Sequence, residues 1–296
     1  MTKKRILRIL ATVAGQCFMF GTLYVLGLRL REQWPLIASD LSRMRVLPAS
    51  GALLATLSLL LLMSAGWTFA LQAVGESISM YTGFSIYYRT SIFRYLPGAV
   101  WHLPGRAYLC QQQGISLKIF AQSAFLELFF LLGCGGILAG WGMAVYLSRP
   151  EFLALSIAAV GALALVIAWP ERLLALVWRQ TLQPGVIHRR ALLVMLLVYT
   201  TVWFAYGGAI ALLLYALPGT QPPPLLTMVI TNTTAWAAGF LSLSPAGLGV
   251  RELSLSVMLG ANLSAAAVVA SLTQRAMELC LEGLLWGMAK LVAWKR

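Results

Sequence analysis

Glu127, Arg275, Glu278 and Glu282 stand in runs too apolar to hold free charges. Glu127 lies in AQSAFLELFFLLG and the other three in SLTQRAMELCLEGLLWG. An ionised side chain at the centre of a membrane helix costs about 2.5–3.5 kcal/mol on insertion scales, so four cost about 10 kcal/mol. That matches the whole stability of an ordinary domain. These groups must therefore be paired, protonated or solvated. Arg275 and Glu278 are three apart and Glu278 and Glu282 four apart, so one helix face carries all three, with Gln274 a turn before Glu278. Such a stripe must face the interior of a bundle.

Two further stretches combine charge with helix breakers. SPAGLGVRE places Pro245, Gly247 and Gly249 before Arg251 and Glu252. IYYRTSIFRYLPGAVWHLPGRAYLCQQQG carries Arg89, Arg94, His102 and Arg106 around two Leu-Pro-Gly triplets, Pro97-Gly98 and Pro104-Gly105. Backbone left unpaired by proline or glycine cannot face lipid and must be buried in protein or line a wet cavity. Interrupted segments in both halves of a chain point to the central site of a transporter. The alternative is a pair of amphipathic loops on the membrane surface. Arg94, Arg106, Arg251 and Arg275 suit a phosphate, which guanidinium binds through a planar fork. Glu127, Glu252, Glu278 and Glu282 would hold those arginines, receive a cationic headgroup or titrate. A purely structural ion-pair network explains the same residues. Pro245 should stop one helix and the two glycines allow a tight turn. A new helix near Val250 would then offer an anion-friendly N-terminus, with Glu252 tying the turn to Arg275 or Arg106.

The elements that must position these groups are helices. The chain has 296 residues, is 60% hydrophobic and only 10% charged, with mean hydropathy +0.81; soluble domains carry about 25% charge. Continuous apolar runs rather than short alternating ones exclude a barrel. The composition predicts an all-α polytopic membrane protein, one domain over 1–296. Spans are expected at about 6–28, 50–74, 119–147, 152–170, 191–216, 225–244 and 264–291. This makes seven to eight transmembrane helices plus broken or re-entrant segments at about 85–115 and 245–262, with an inverted-repeat, transporter-like arrangement in view. The N-terminal MTKKRILRIL reads as a retained first helix with its basic start in the cytoplasm. Seven simple spans would put the basic end Lys290, Lys295 and Arg296 outside, so one segment is not a simple crossing.

Other chemistries are excluded. The net charge of +13 falls between apolar runs, as topology signals and anionic lipid surfaces require, and does not indicate nucleic acid. Four scattered cysteines form neither a zinc site nor a disulfide framework. There is no HExxH, GxSxG or P-loop, and no metal or cofactor is expected. His188 abuts Arg189 and Arg190 in a loop and should be solvated. His102, between the Pro-Gly turns, stays on the list of site residues, although a structural histidine is the default. The sequons at Asn232 and Asn262 fall in or beside membrane runs.

RYLPGAVWHLPGR with Gly114-Ile115-Ser116, and SPAGLGVRE about 150 residues later, resemble paired motifs of the lysylphosphatidylglycerol synthase transmembrane-region proteins, also called flippase-like. The resemblance covers about 85–285. Arg94, Tyr95, Pro97, Gly98 and Arg106 match the first motif; Pro245, Gly247, Gly249, Arg251 and Glu252 match the second. Ala246 stands where the family more often has glycine, and Pro104 is an addition. The resemblance implies a lipid translocase in a bacterial inner membrane, without the soluble domain that attaches lysine to lipid. The expected function is translocation of an anionic phospholipid or polyprenyl-phosphate-linked lipid. Two alternatives stay open: a non-catalytic subunit of a separate lipid-modifying or glycosyl transferase, and a membrane-embedded transferase. A lipid-modifying enzyme partner and a homodimer are both open.

Overall fold

Helices α1 (Val46–Ala73) and α7 (Arg189–Ala216) form an antiparallel pair at the centre of the molecule. The Arg45 amide donates to Ala216 O at 2.8 Å at one end, and the His188 amide to Ala73 O at 2.9 Å at the other. These are called the Arg45 end and the His188 end. A computed structural model describes residues 42–95, 101–178, 187–242 and 249–294, together with Ser39 and Gly247. The expected first span at 6–28, and Pro97, Gly98 and Pro245, lie outside the described residues.

The described residues are helical, without strands. After α1 come α2 (Met80–Ser91), a 3-10 turn (Ile92–Tyr95), α3 (His102–Gln112) and α4 (Leu117–Tyr146). A second 3-10 turn (Pro150–Phe152) leads into α5 (Leu153–Ala168) and α6 (Pro170–Trp178). After α7 come α8 (Leu225–Leu241), α9 (Val250–Leu259) and α10 (Ser264–Trp294). The apolar runs that predict spans form the cores of α1, α4, α7 and the continuous stretch Pro150–Ala168 that includes α5, each long and apolar enough to cross a bilayer. The protein is an all-α polytopic integral membrane protein. α10 has the length, 31 residues, but carries the charged stripe.

The two broken segments enter the bundle from opposite ends. α2 leaves the His188 end just after α1 and packs on the far part of α10, where Ser85 Oγ donates to Ala289 O at 3.5 Å. α3 returns to Ile115 and Phe120, which share a core with Trp67, Leu285 and Ala289. α8 starts at the Arg45 end, and α9 returns there, since Leu259, Asn262 and Leu263 line one cavity with Arg45, Tyr215 and Thr220. α8 has 17 residues, about 25 Å, shorter than the ~30 Å hydrocarbon layer. The expected simple span at 225–244 is therefore half of a hairpin. This removes the sidedness conflict. α10 runs from the Arg45 end to the His188 end, so Lys290 lies toward the same end as Arg189 and Arg190.

Close contact holds the second hairpin to its neighbours. A Cβ on Gly207 of α7 would fall 2.4 Å from Val229 Cα, so the α7 and α8 backbones touch. Past the end of α8, Gly247 and Gly249 have φ of +68° and +81°, the left-handed conformation that a side chain resists.

Candidate functional site

Each break carries an arginine one or two positions into the new helix, or a single turn beyond. Arg106 lies in the first turns of α3 and Arg251 in the first turn of α9; they are 1% and 4% exposed. Pro104 sits in the first turn of α3, where its missing N–H has no partner to lose, which accounts for the extra proline. Gly105 lets α3 approach α2, since a Cβ there would meet Thr90 Cγ2 at 3.3 Å. His102 opens α3, half-buried, four residues before Arg106.

Around the first break, Arg106 Nη1 binds Glu127 Oε2 of α4 at 2.8 Å. Its guanidinium stacks on Tyr87 at 4.1 Å and Trp67 at 4.8 Å. Beside it, Arg94 of the 3-10 turn binds Glu282 of α10 at 3.1 Å and is the most open of the four arginines, with 29% of its side chain exposed.

Around the second break, Arg251 meets a different set. Its Nη1 donates to the Tyr206 hydroxyl. Its Nη2 donates to Asn232 Oδ1 at 3.3 Å and Gln274 Oε1 at 3.2 Å, and the guanidinium lies 4.5 Å over the Tyr206 ring. These partners are neutral, and no described carboxylate forms an ion pair with Arg251. Arg251 Nε and Asn232 Nδ2 are buried without a hydrogen-bond acceptor among the described residues. Glu278 lies near Tyr206 and Arg251.

Glu252 differs from expectation in one respect. It binds Arg275 at 2.8 Å, one of the two partners foreseen. But its Oε2 also accepts from the Gly249 amide at 2.8 Å, and its Oε1 from Ser271 at 3.3 Å. The N-terminus of α9, expected to receive an external anion, is filled by the chain's own carboxylate.

The stripe on α10 links the two breaks. Gln274 and Arg275 face the second and Glu282 the first, with Glu278 between. Seven positions separate Arg275 from Glu282, about 10 Å along the helix. The charged groups pack against one another. Two open cavities among the described residues lie elsewhere: about 480 Å³ beside Gln72, Glu76, His188 and Arg190, and about 660 Å³ at the Arg45 end.

Tyr206, Asn232, Tyr87 and Trp67 were not singled out as site residues. Tyr206 reads in sequence as one more interfacial aromatic. Asn232 reads as a discounted sequon, though a buried amide in the run VITNTTAW was the available signal. The structure buries Asn232 completely.

Motif spacing, breaks and paired charges can now be set beside known proteins. The model of the lysylphosphatidylglycerol synthase TM region family matches residues 7–281. The chain belongs to this family. Membership in the lysylphosphatidylglycerol synthase TM region family fits a membrane protein concerned with lipid handling, and the match covers both breaks and the α10 stripe as far as Glu278, ending one residue before Glu282. No curated protein matches the chain.

Proposed function

We propose that the protein carries an anionic phospholipid, or another lipid-linked phosphate headgroup, between leaflets of a bacterial inner membrane. The phosphate passes the polar centre while the lipid tail stays in the bilayer. The observation that carries this reading is Arg251: among the described residues, a buried cation hydrogen-bonded to neutral groups alone, with a buried donor on itself and one on Asn232 lacking an acceptor. Buried donors without acceptors are costly, and a phosphate oxygen would satisfy both.

The other three arginines extend the path. Arg94 and Arg106 stand nearer the His188 end, and Arg275 and Arg251 nearer the Arg45 end. A phosphate is the same kind of bidentate acceptor as a carboxylate, so it can replace Glu282, then Glu252, as partner at successive depths. Arg189, Arg190 and Lys290 make the His188 end cytoplasmic under the positive-inside rule.

The test is headgroup translocation in liposomes, read as the protection of a fluorescent phospholipid from an impermeant quencher. Wild type should equilibrate the label between leaflets, and Arg251→Ala should not, while eluting as a folded species in detergent. Equal rates in the two proteins would refute the site.

A further inference from the structure

We infer that Glu278 takes up one proton when an anion docks on Arg251, so that anion binding at this site is proton-coupled; this rests on the phosphate site proposed above. Among the described residues, the polar centre contains four arginines (Arg94, Arg106, Arg251, Arg275) and four glutamates (Glu127, Glu252, Glu278, Glu282). Three of each are joined in direct ion pairs. The fourth pair, Arg251 and Glu278, forms no direct ion pair among the described residues; Tyr206, whose hydroxyl accepts from Arg251, lies beside both.

The empty centre is therefore neutral, and a docked monoanion leaves it one negative charge in excess. The groups facing Glu278 cannot absorb that charge. From α9 come Arg251, which the anion occupies, and Glu252; from α7, Tyr206; from the 3-10 turn, Arg94, bound to Glu282. On its own helix, Arg275 is bound to Glu252. Glu278 Oε1 is buried and has no hydrogen-bond partner among the described residues. Two anions behind one cation, away from water, repel strongly. A proton from solvent on Oε1 removes the excess charge. It also turns an acceptor into a donor that a phosphate oxygen can use.

The experiment uses the full chain in nanodiscs of zwitterionic lipid. The probe is dihexanoyl phosphatidylglycerol, whose phosphodiester stays monoanionic, so its own titration does not intrude. Calorimetric titrations in buffers of different ionisation enthalpy count the protons taken up. Over the pH range in which Glu278 is ionised in the empty protein and protonated in the complex, Kd should rise about tenfold per pH unit, with uptake approaching one proton. Glu278→Gln should bind with little pH dependence, and Glu278→Asp should keep the slope. Binding by wild type with no slope and no uptake, but lost in Arg251→Ala, would overturn the coupling and leave the phosphate site standing. A slope that persists in Glu278→Gln would move the proton elsewhere and overturn the assignment. Absence of Arg251-dependent binding would overturn both readings. If Glu278→Gln does not fold, proton uptake by wild type still decides.

Discussion

Arg106 and Arg251 occupy matching places, each near the start of the helix that follows a break, and both are buried. Their surroundings differ. Arg106 has a carboxylate at 2.8 Å and two aromatic rings against its guanidinium, so its charge is matched within the fold. Arg251 has a phenol and two amides instead of a carboxylate; each arginine keeps a buried Nε without an acceptor among the described residues. A charge matched internally holds helices together. A charge surrounded by neutral groups keeps its capacity for an external partner. Under the proposed function, the first break would serve chiefly to fix the hairpin, and the second would receive the ligand.

The largest effect should come from Arg251. Translocation should fall about a hundredfold or more in Arg251→Ala, from loss of charged hydrogen bonds to phosphate. Arg251→Lys should recover little, because an ammonium lacks the planar fork. Full recovery by lysine would make the site a mere point charge and erase the contrast with Arg106. Next, Arg106→Met should cost about 3–5 kcal/mol, because it strands Glu127. Adding Glu127→Leu should restore most of the loss, as read by thermal unfolding in detergent. If the double variant stays as unstable as the single one, the pair is not the source of the stability.

How far these roles were legible depends on the kind of signal. The spans were readable because each is a long apolar run, and the charged stripe because i, i+3 and i+4 spacing fixes a face. The breaks were readable from Pro and Gly clusters. Which end each hairpin enters was not, since 225–244 has the composition of a full crossing and only its packing with Val250–Leu259 shows that the chain turns back. Arg275 with Glu252 could be foreseen from chain proximity. Arg94 with Glu282 could not, because that pairing depends on α2 packing against the far part of α10.

Two smaller effects sharpen the comparison. Gly247→Ala should destabilise by about 1–2 kcal/mol, since a side chain there adopts the left-handed conformation, and its Cβ would press on Gly239 Cα at 3.1 Å. Translocation should fall with it, because Arg251 is held by this turn. Equal stability would mean that the turn rearranges freely. Arg149→Ala serves as the reference: its 3.5 Å pair with Glu151 is exposed, and the change should stay within about 0.5 kcal/mol in the same unfolding assay.

The opposed entry of the two hairpins has a consequence for orientation. A scaffold that pushes one bent arm in from each face looks broadly alike whichever way up it is inserted. Its polarity then rests on a handful of loop arginines and lysines, so shifting a few of them across should turn the molecule over.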